Sequence, residues 1–231
     1  EVEEVIAIRK ANPTPSDFRV GLRCNPDQVK DFDSRFGISI HNQELHEALA
    51  ALKRVEGINV KGLHCHICPP ERSAAAYQAL ATRVLEIADN LNHEFDYVNL
   101  GGGFFSKMPD ELKQRWSYPI PDYSDYGTAI ASVFLKRFGP TRGPTLILEP
   151  GMSVVADVMQ FVCKVYSVKE LEAKISAVCT GSVYNIKPTK NSANLPMHHV
   201  PNPDRPGTTD RRIEISGYTC MEDDVLYANY Q

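Results

Sequence analysis

The sequence lacks the features of several large protein classes. Its 231 residues contain no apolar run near the roughly 20 residues that cross a bilayer, and no signal-peptide pattern. There is no basic run and the formal net charge is −4, so nothing favours a nucleic-acid partner. The six cysteines are scattered, which is typical of reduced thiols rather than of a disulfide framework. We therefore expect a cytoplasmic protein without membrane or nucleic-acid partners.

Strand-like runs alternate with amphipathic helical patterns over the first 150 residues. The predicted strands are 18–24, 60–66, 95–100 and 144–149. The predicted helices are 1–10, 41–55, 71–91 and 123–138. A strand–helix repeat of about 35 to 45 residues favours parallel βα units.

The pattern changes after Gly151. Residues 153–168, 173–180 and 211–219 are strand-like, with no predicted helix between them. Four βα strands are half of the eight that close a barrel, although an open parallel sheet is the alternative. We predict an α/β fold: the C-terminal half of a (β/α)8 TIM-type barrel over 1–152, then part of a mostly β domain over 153–231. Because the chain starts at Glu1 inside a helical pattern, we expect a fragment without the N-terminal half of the barrel.

Groups that could carry chemistry follow the predicted strands. A glycine triplet, Gly101–Gly103, can present bare N–H groups to a phosphate, or can be only a turn. His64 and His66 share one face of a strand. With Glu149 they could bind a divalent metal ion, one imidazole could pack on a planar cofactor, or both could be ordinary barrel histidines. Glu149 could instead hold a positively charged heterocyclic nitrogen, and Arg23 could add a fixed positive charge.

The order of these motifs resembles that of the fold-type III pyridoxal phosphate enzymes. Within them the chain is most similar to the alanine-racemase-like amino acid decarboxylases, such as diaminopimelate and ornithine decarboxylases. The segments that carry the resemblance are 22–26, 35–38, 62–67, 99–104, 149–151 and 217–224. Each segment alone is weak evidence for the resemblance, but the occurrence of all six in the order found in this family is specific.

The resemblance implies pyridoxal 5′-phosphate as the cofactor and a role for each motif. His66 would stack on the pyridine ring, and Gly101–Gly103 would bind the phosphate. Glu149 would keep the ring nitrogen protonated, so that the ring accepts electrons from the carbanion left by loss of CO₂. Arg23, near the end of the first predicted strand, is a further candidate for cofactor binding. Cys220 would enter from the partner subunit of a homodimer and help to protonate the carbanion.

The resemblance also raises expectations about the substrate. Asp224 fits the acid of the Cys220 motif, and Lys187 is a second candidate for substrate binding. The substrate would be an amino acid of the diaminopimelate, ornithine, arginine or carboxynorspermidine type, and Met221 assigns none of them. Pro69 and Met152 stand where the family usually has a serine and an arginine that hold the phosphate.

The lysine that forms the Schiff base in this family would lie upstream of Glu1. The 231-residue piece alone is therefore expected to be inactive. Two other functions stay open. One is a metal-dependent barrel hydrolase that uses His64, His66 and Glu149 to activate water. The other is a decarboxylase-like protein without turnover.

Overall fold

The computed structural model describes residues 1–13, 16–26, 34–66, 71–105, 107–155, 158–186, 194–204 and 209–230. The chain divides into two compact units, Glu1–Lys107 with Trp116–Asp157, and Met108–Arg115 with Val158–Gln231. The strands are β1 Phe18–Asn25, β2 Ile38–Ser39, β3 Ile58–His64, β4 Tyr97–Asn99, β5 Thr145–Ile147, β6 Val165–Glu170, β7 Ile175–Cys179, β8 Ile213–Ser216 and β9 Val225–Tyr230. The helices are α1 Val2–Ala11, α2 Glu44–Lys53, α3 Ala74–Asn90, α4 Asp110–Lys113, α5 Tyr123–Phe138, α6 Met152–Val155 and α7 Val183–Ile186.

The first unit is built on a five-stranded sheet in the order β2-β1-β3-β4-β5, and every strand pair in it is parallel. The predicted parallel α/β arrangement is therefore confirmed, with all four predicted strands present. Strand β2 was missed because only two of its residues pair with β1, too few to give a sequence pattern. Because parallel strands end at the same edge, the segments after β3, β4 and β5 lie side by side.

Helices α3 and α5 of this unit pack against each other. Helix α3 begins after Ser73, whose hydroxyl accepts the Ala76 N–H at 3.2 Å. Helix α5 begins with a capping box between Asp122 and Asp125. The helical spacing in the sequence thus found both helices, and local capping sets where they start. Across the described ranges, no helix is long and apolar enough to cross a membrane.

The second unit contains a four-stranded sheet in the order β6-β7-β8-β9. The pairs β6–β7 and β8–β9 are antiparallel, and β7–β8 is parallel. The prediction of one strand over 153–168 is wrong, because α6 occupies Met152–Val155 and β6 begins only at Val165. The β-branched residues Val154 and Val155 favour a strand, but the turn at Pro150-Gly151 determines the local conformation instead. The one-turn helix α7 and strand β9 were also unpredicted, and the domain boundary at 152 stays a prediction.

Asp224 is the polar centre of the second unit. It is 2% exposed, and its carboxylate accepts hydrogen bonds from Ser182 Oγ (2.9 Å), Val183 N (2.8 Å), Thr219 N (3.2 Å) and Thr219 Oγ1 (2.6 Å). Burial by itself would raise the pKa of Asp224, but these hydrogen bonds outweigh it and hold the pKa below its usual range. Both oxygens are engaged, which favours an anchor for the 217–224 turn over a substrate contact. Its role in substrate binding stays a prediction.

Replacing Asp224 with asparagine should lower the free energy of unfolding of this unit by about 1–3 kcal/mol, because the new NH₂ would face hydrogen-bond donors. Since the folded-state pKa lies below the unfolded value of about 3.9, the carboxylate stabilises the fold above that value. This stabilisation is lost as pH falls through the folded pKa. Denaturant unfolding from neutral to acid pH measures both effects, with exposed Glu222→Gln as the control. Equal stability of Asp224→Asn and the parent at neutral pH would contradict the anchor role.

Candidate functional site

The motifs after β3, β4 and β5 lie at one edge of the parallel sheet. In register, His64 pairs with Asn99, and Asn99 pairs with Ile147. Beyond the paired residues, the Glu149 N–H donates to the Gly101 carbonyl oxygen at 2.8 Å. The structure thus brings His66, the glycine triplet and Glu149 together, as the strand order predicts.

The glycine triplet forms a turn that no other residue type could form without strain. Gly101 and Gly103 have φ of 67° and 91°, in the left-handed region. A methyl group on Gly101 would overlap the His66 ring, and one on Gly102 would overlap the Glu149 carbonyl oxygen. The turn is therefore in direct contact with both predicted cofactor-binding residues.

Two side chains, those of His66 and Tyr77, form hydrogen bonds with the backbone of Gly102 in this turn. The Gly102 N–H donates to His66 Nδ1 at 3.0 Å, so a neutral His66 carries its proton on Nε2. The Tyr77 hydroxyl, from the buried face of α3, donates to the Gly102 carbonyl oxygen at 2.9 Å. Tyr77 also stacks on Phe104 at 4.5 Å between ring centroids. The Gly103 N–H has no hydrogen-bond partner in the part of the chain that the structure describes.

Arg23 lies beside His66 at the end of β1. Its Nη2 donates to the His66 carbonyl oxygen at 3.4 Å, and its guanidinium lies 4.8 Å from the centroid of the Phe36 ring. Arg23 pairs in register with His64 on β3. The fixed positive charge predicted for this edge is therefore present there, while its part in cofactor binding stays a prediction.

Glu149 is held by Asn99 and faces His64. Asn99 Nδ2 donates to Glu149 Oε1 at 2.7 Å, and Asn99 Oδ1 accepts the Gly101 N–H at 2.8 Å. His64 Nε2 is covered and lies 3.8 Å from the same Glu149 oxygen, with no hydrogen-bond partner in the described ranges. Burial, with Arg23 nearby, lowers the pKa of His64 although Glu149 raises it. His64 is therefore neutral at neutral pH.

The metal-site alternative finds no support in this geometry. Among the described residues, no group of three histidine, cysteine or acidic side chains is arranged to hold a metal ion. The Nδ1 of His66 is already the acceptor for the Gly102 N–H and is therefore not free for a metal ion.

The structure describes some of the other positions that the sequence singled out, and not others. Cys220 belongs to the second unit, where its thiol is exposed and free in the turn that Asp224 anchors. Lys187 and Pro69 lie outside the described residues. Met152 is the first residue of α6, and its side chain is exposed.

Sequence reasoning missed two residues of the site, Asn99 and Tyr77. Asn99 is the first residue of the 99–104 segment, to which the sequence analysis assigns a role only at the glycines. Asparagine is nevertheless common in turns, because its side chain forms hydrogen bonds with the backbone two residues on. Tyr77 lies on the apolar face of the predicted helix 71–91 and is buried in α3. The 3.6-residue spacing locates that face but not the hydroxyl group.

Comparison with known proteins places this site in a family. A profile described as "Pyridoxal-dependent decarboxylase, pyridoxal binding domain" matches residues 1–156. The chain is 27% identical over 218 residues to the diaminopimelate decarboxylase of Methanocaldococcus jannaschii, covering 90% of this chain and 48% of that protein. It is 28% identical over 238 residues to the Staphylococcus aureus diaminopimelate decarboxylase, covering 97% and 54%. The chain thus spans about half the length of these relatives.

Solved structures agree at the level of the fold. The crystal structure of M. jannaschii diaminopimelate decarboxylase matches with a TM-score of 0.79 at 24% identity, over 100% of this chain and 54% of that one. The arginine decarboxylase of Paramecium bursaria Chlorella virus matches with a TM-score of 0.69 at 19% identity, over 100% and 59%. Because the family profile covers more than half of the sequence, the chain belongs to the pyridoxal-dependent decarboxylases through their pyridoxal binding domain.

Proposed function

We propose that the protein containing this chain is a pyridoxal phosphate-dependent carboxy-lyase that removes CO₂ from an amino acid. One observation carries the proposal: the glycine turn, His66 and Glu149 meet at one edge of a parallel sheet, in a chain of this family. Ligands of parallel α/β sheets bind at the carboxyl ends of the strands.

The residues at this edge fit pyridoxal phosphate. Of the three N–H groups expected to bind the phosphate, those of Gly101 and Gly102 already donate to Asn99 Oδ1 and His66 Nδ1, which leaves that of Gly103. The N–H groups of Gly103 and Gly151 have no partner in the described ranges, and such backbone donors suit a phosphate. Glu149 offers an anionic oxygen for the ring nitrogen, and His66 offers an aromatic face. When bound, the cofactor supplies a protonated pyridine ring that accepts the electron pair left by CO₂. Since Met152 carries no charge, the phosphate would rely on backbone donors.

Each residue then has a task of its own. Glu149 would hold a proton at the ring nitrogen, Asn99 holds Glu149 by a hydrogen bond, and the His66 ring would pack on the cofactor. His64, whose pKa is lowered mainly by burial, lies 3.8 Å from the same Glu149 oxygen and adds no positive charge beside it at neutral pH. Cys220, exposed on the second unit, would deliver a proton from the partner subunit of a homodimer. The dimer and the role of Cys220 are inferred from the family resemblance and from that exposure.

The chain would be the later half of the barrel and part of the β domain of a longer protein. Its relatives are about twice as long. Large apolar side chains of the second unit stand in solvent, with Val158, Met159 and Val162 at 69, 80 and 86% exposed. In the described ranges, no lysine directly follows a strand of the parallel sheet. The Schiff-base lysine would therefore lie outside these residues, and the 231-residue piece alone would be inactive.

The substrate belongs to the class of amino acids with a second charged end. Relatives in this family are named as diaminopimelate and arginine decarboxylases. Met221, which is 54% exposed beside Cys220, offers no charge to the far end of such a substrate. Lys187 remains a candidate for that contact.

Release of CO₂ from carboxyl-labelled diaminopimelate, ornithine, arginine and carboxynorspermidine tests the proposal. The full-length protein with pyridoxal phosphate should decarboxylate at least one of them, and residues 1–231 alone should decarboxylate none. Cofactor binding without CO₂ release from any substrate would instead favour the non-catalytic relative. Hydrolytic activity that needs no pyridoxal phosphate and is abolished by a metal chelator would favour the metal-dependent hydrolase.

A further inference from the structure

The side chain of Asn99 connects Glu149 with the glycine turn of the candidate cofactor site. Its Nδ2 donates to Glu149 Oε1 at 2.7 Å, and its Oδ1 accepts the Gly101 N–H at 2.8 Å. Glu149 therefore connects to the glycine turn twice, once through Asn99 and once through its own N–H to the Gly101 carbonyl oxygen. A displacement of Asn99 would move both the carboxylate and the turn.

The backbone of Asn99 does not require this side chain. Its strand is already paired on both sides, with His64 and with Ile147, and its carbonyl oxygen accepts the Cys65 N–H at 2.8 Å. The amide orientation is fixed by its two partners, since the N–H of Gly101 needs an oxygen and the carboxylate needs an NH₂. Aspartate would serve Gly101 but would set a second negative charge against Glu149. Asparagine alone of this pair satisfies both contacts.

Asn99 is also the hydrogen-bond donor on which the Glu149 side chain depends. Within the described ranges, no other side chain donates a hydrogen bond to its carboxylate. His64, the nearest alternative, lies at 3.8 Å, too far for a hydrogen bond. Because Glu149 is otherwise exposed, the rotamer of its carboxylate would be unrestrained without Asn99.

We propose that Asn99 is a positioning residue for the cofactor. It orients the Glu149 carboxylate toward the place of the ring nitrogen and keeps the glycine turn in register with it. This inference rests on the proposed function, because that function supplies the ligand, pyridoxal phosphate, at this edge of the sheet. Asn99 acts through Glu149 and Gly101 and does not itself take part in the reaction.

The test measures binding of pyridoxine 5′-phosphate to the full-length protein by fluorescence titration. This probe has the ring nitrogen and the phosphate but no aldehyde, so it cannot react with lysines. Asn99→Asp should weaken binding about 10-fold or more, the usual effect of losing a hydrogen bond to a charged group. Asn59→Asp is the matched control, because Asn59 also donates to a carboxylate, that of Asp17 at 2.6 Å, at the other end of the neighbouring strand β3. It should change the affinity less than 2-fold.

A double-variant cycle separates positioning from a general structural effect. If Asn99 acts through Glu149, Asn99→Asp in a Glu149→Gln background should cost less than about 3-fold, because the new carboxylate can accept from the introduced amide. The inference would be overturned if the two substitutions weakened probe binding by independent factors that multiply in the double variant. It would also be overturned if Asn99→Asp bound the probe as tightly as Asn59→Asp.

A measurement without the probe keeps the inference distinct from the proposed function. The side-chain ¹⁵N resonance of Asn99 should move as Glu149 ionises, and should stay constant with pH in Glu149→Gln. If the parent binds no pyridoxine phosphate while this resonance responds, the proposed function fails and the link between Asn99 and Glu149 stands. If the resonance does not respond, the link itself is overturned.

Discussion

Glu149→Gln should lower CO₂ release by the full-length protein about 100-fold or more, which is the usual loss when one preorganised electrostatic partner is removed. A neutral amide cannot hold a proton on a ring nitrogen, so the electron-accepting form of the cofactor would no longer be favoured. The glycine turn does not need the Glu149 carboxylate, because the Glu149 N–H and not its side chain contacts Gly101. Affinity for pyridoxal phosphate should therefore fall much less than turnover.

The measurement is a comparison of kcat with cofactor affinity in the same preparation. Glu86→Gln is a suitable control, since Glu86 forms only an exposed ion pair with Arg83 on the surface of α3. It should leave both quantities within about 2-fold, because exposed ion pairs contribute little. A Glu149→Gln protein with full turnover would refute the role given to this carboxylate.

Gly102→Ala should both destabilise the first unit and abolish detectable cofactor binding. The added methyl group would overlap the Glu149 carbonyl oxygen, a backbone atom that cannot rotate away. Overpacking of this kind lowers the free energy of unfolding by about 1–3 kcal/mol. The turn can avoid the overlap only by shifting away from His66. Denaturant unfolding gives the first effect, and titration with pyridoxine 5′-phosphate gives the second.

Gly127→Ala is the matched control for this substitution. Gly127 lies in helix α5, and a methyl group there would meet nothing within 4 Å. Alanine should raise the stability by about 0.5–1 kcal/mol, because glycine is the poorer helix former, and should leave binding unchanged. If Gly102→Ala binds the probe as well as Gly127→Ala does, the turn is not the phosphate site.

The sequence predicted that the three motifs lie at one edge of the sheet because each motif is encoded locally. Each motif directly follows an apolar run, and runs that alternate with amphipathic helices form parallel strands whose ends converge. The positions of His66, Gly101–Gly103 and Glu149 needed no further information. Strand order indicated that they share an edge, whereas the hydrogen bonds between them were not predicted.

What the sequence could not give depends on tertiary contacts. The helix at Met152–Val155 contains two β-branched residues, and the preceding turn rather than propensity decides its conformation. The hydrogen bonds of Asn99 depend on the register of three strands, which no local pattern records. The role of Asp224 depends on partners 41 and 42 residues away, Val183 and Ser182.

Borohydride reduction of the full-length protein with pyridoxal phosphate, followed by peptide mapping, tests the central claim most directly. Reduction fixes the cofactor to the lysine that holds it. We predict one modified lysine, on a peptide outside residues 1–231, and loss of the adduct in Gly102→Ala but not in Gly127→Ala. No specific adduct, or an adduct on a lysine within these residues, would contradict the account.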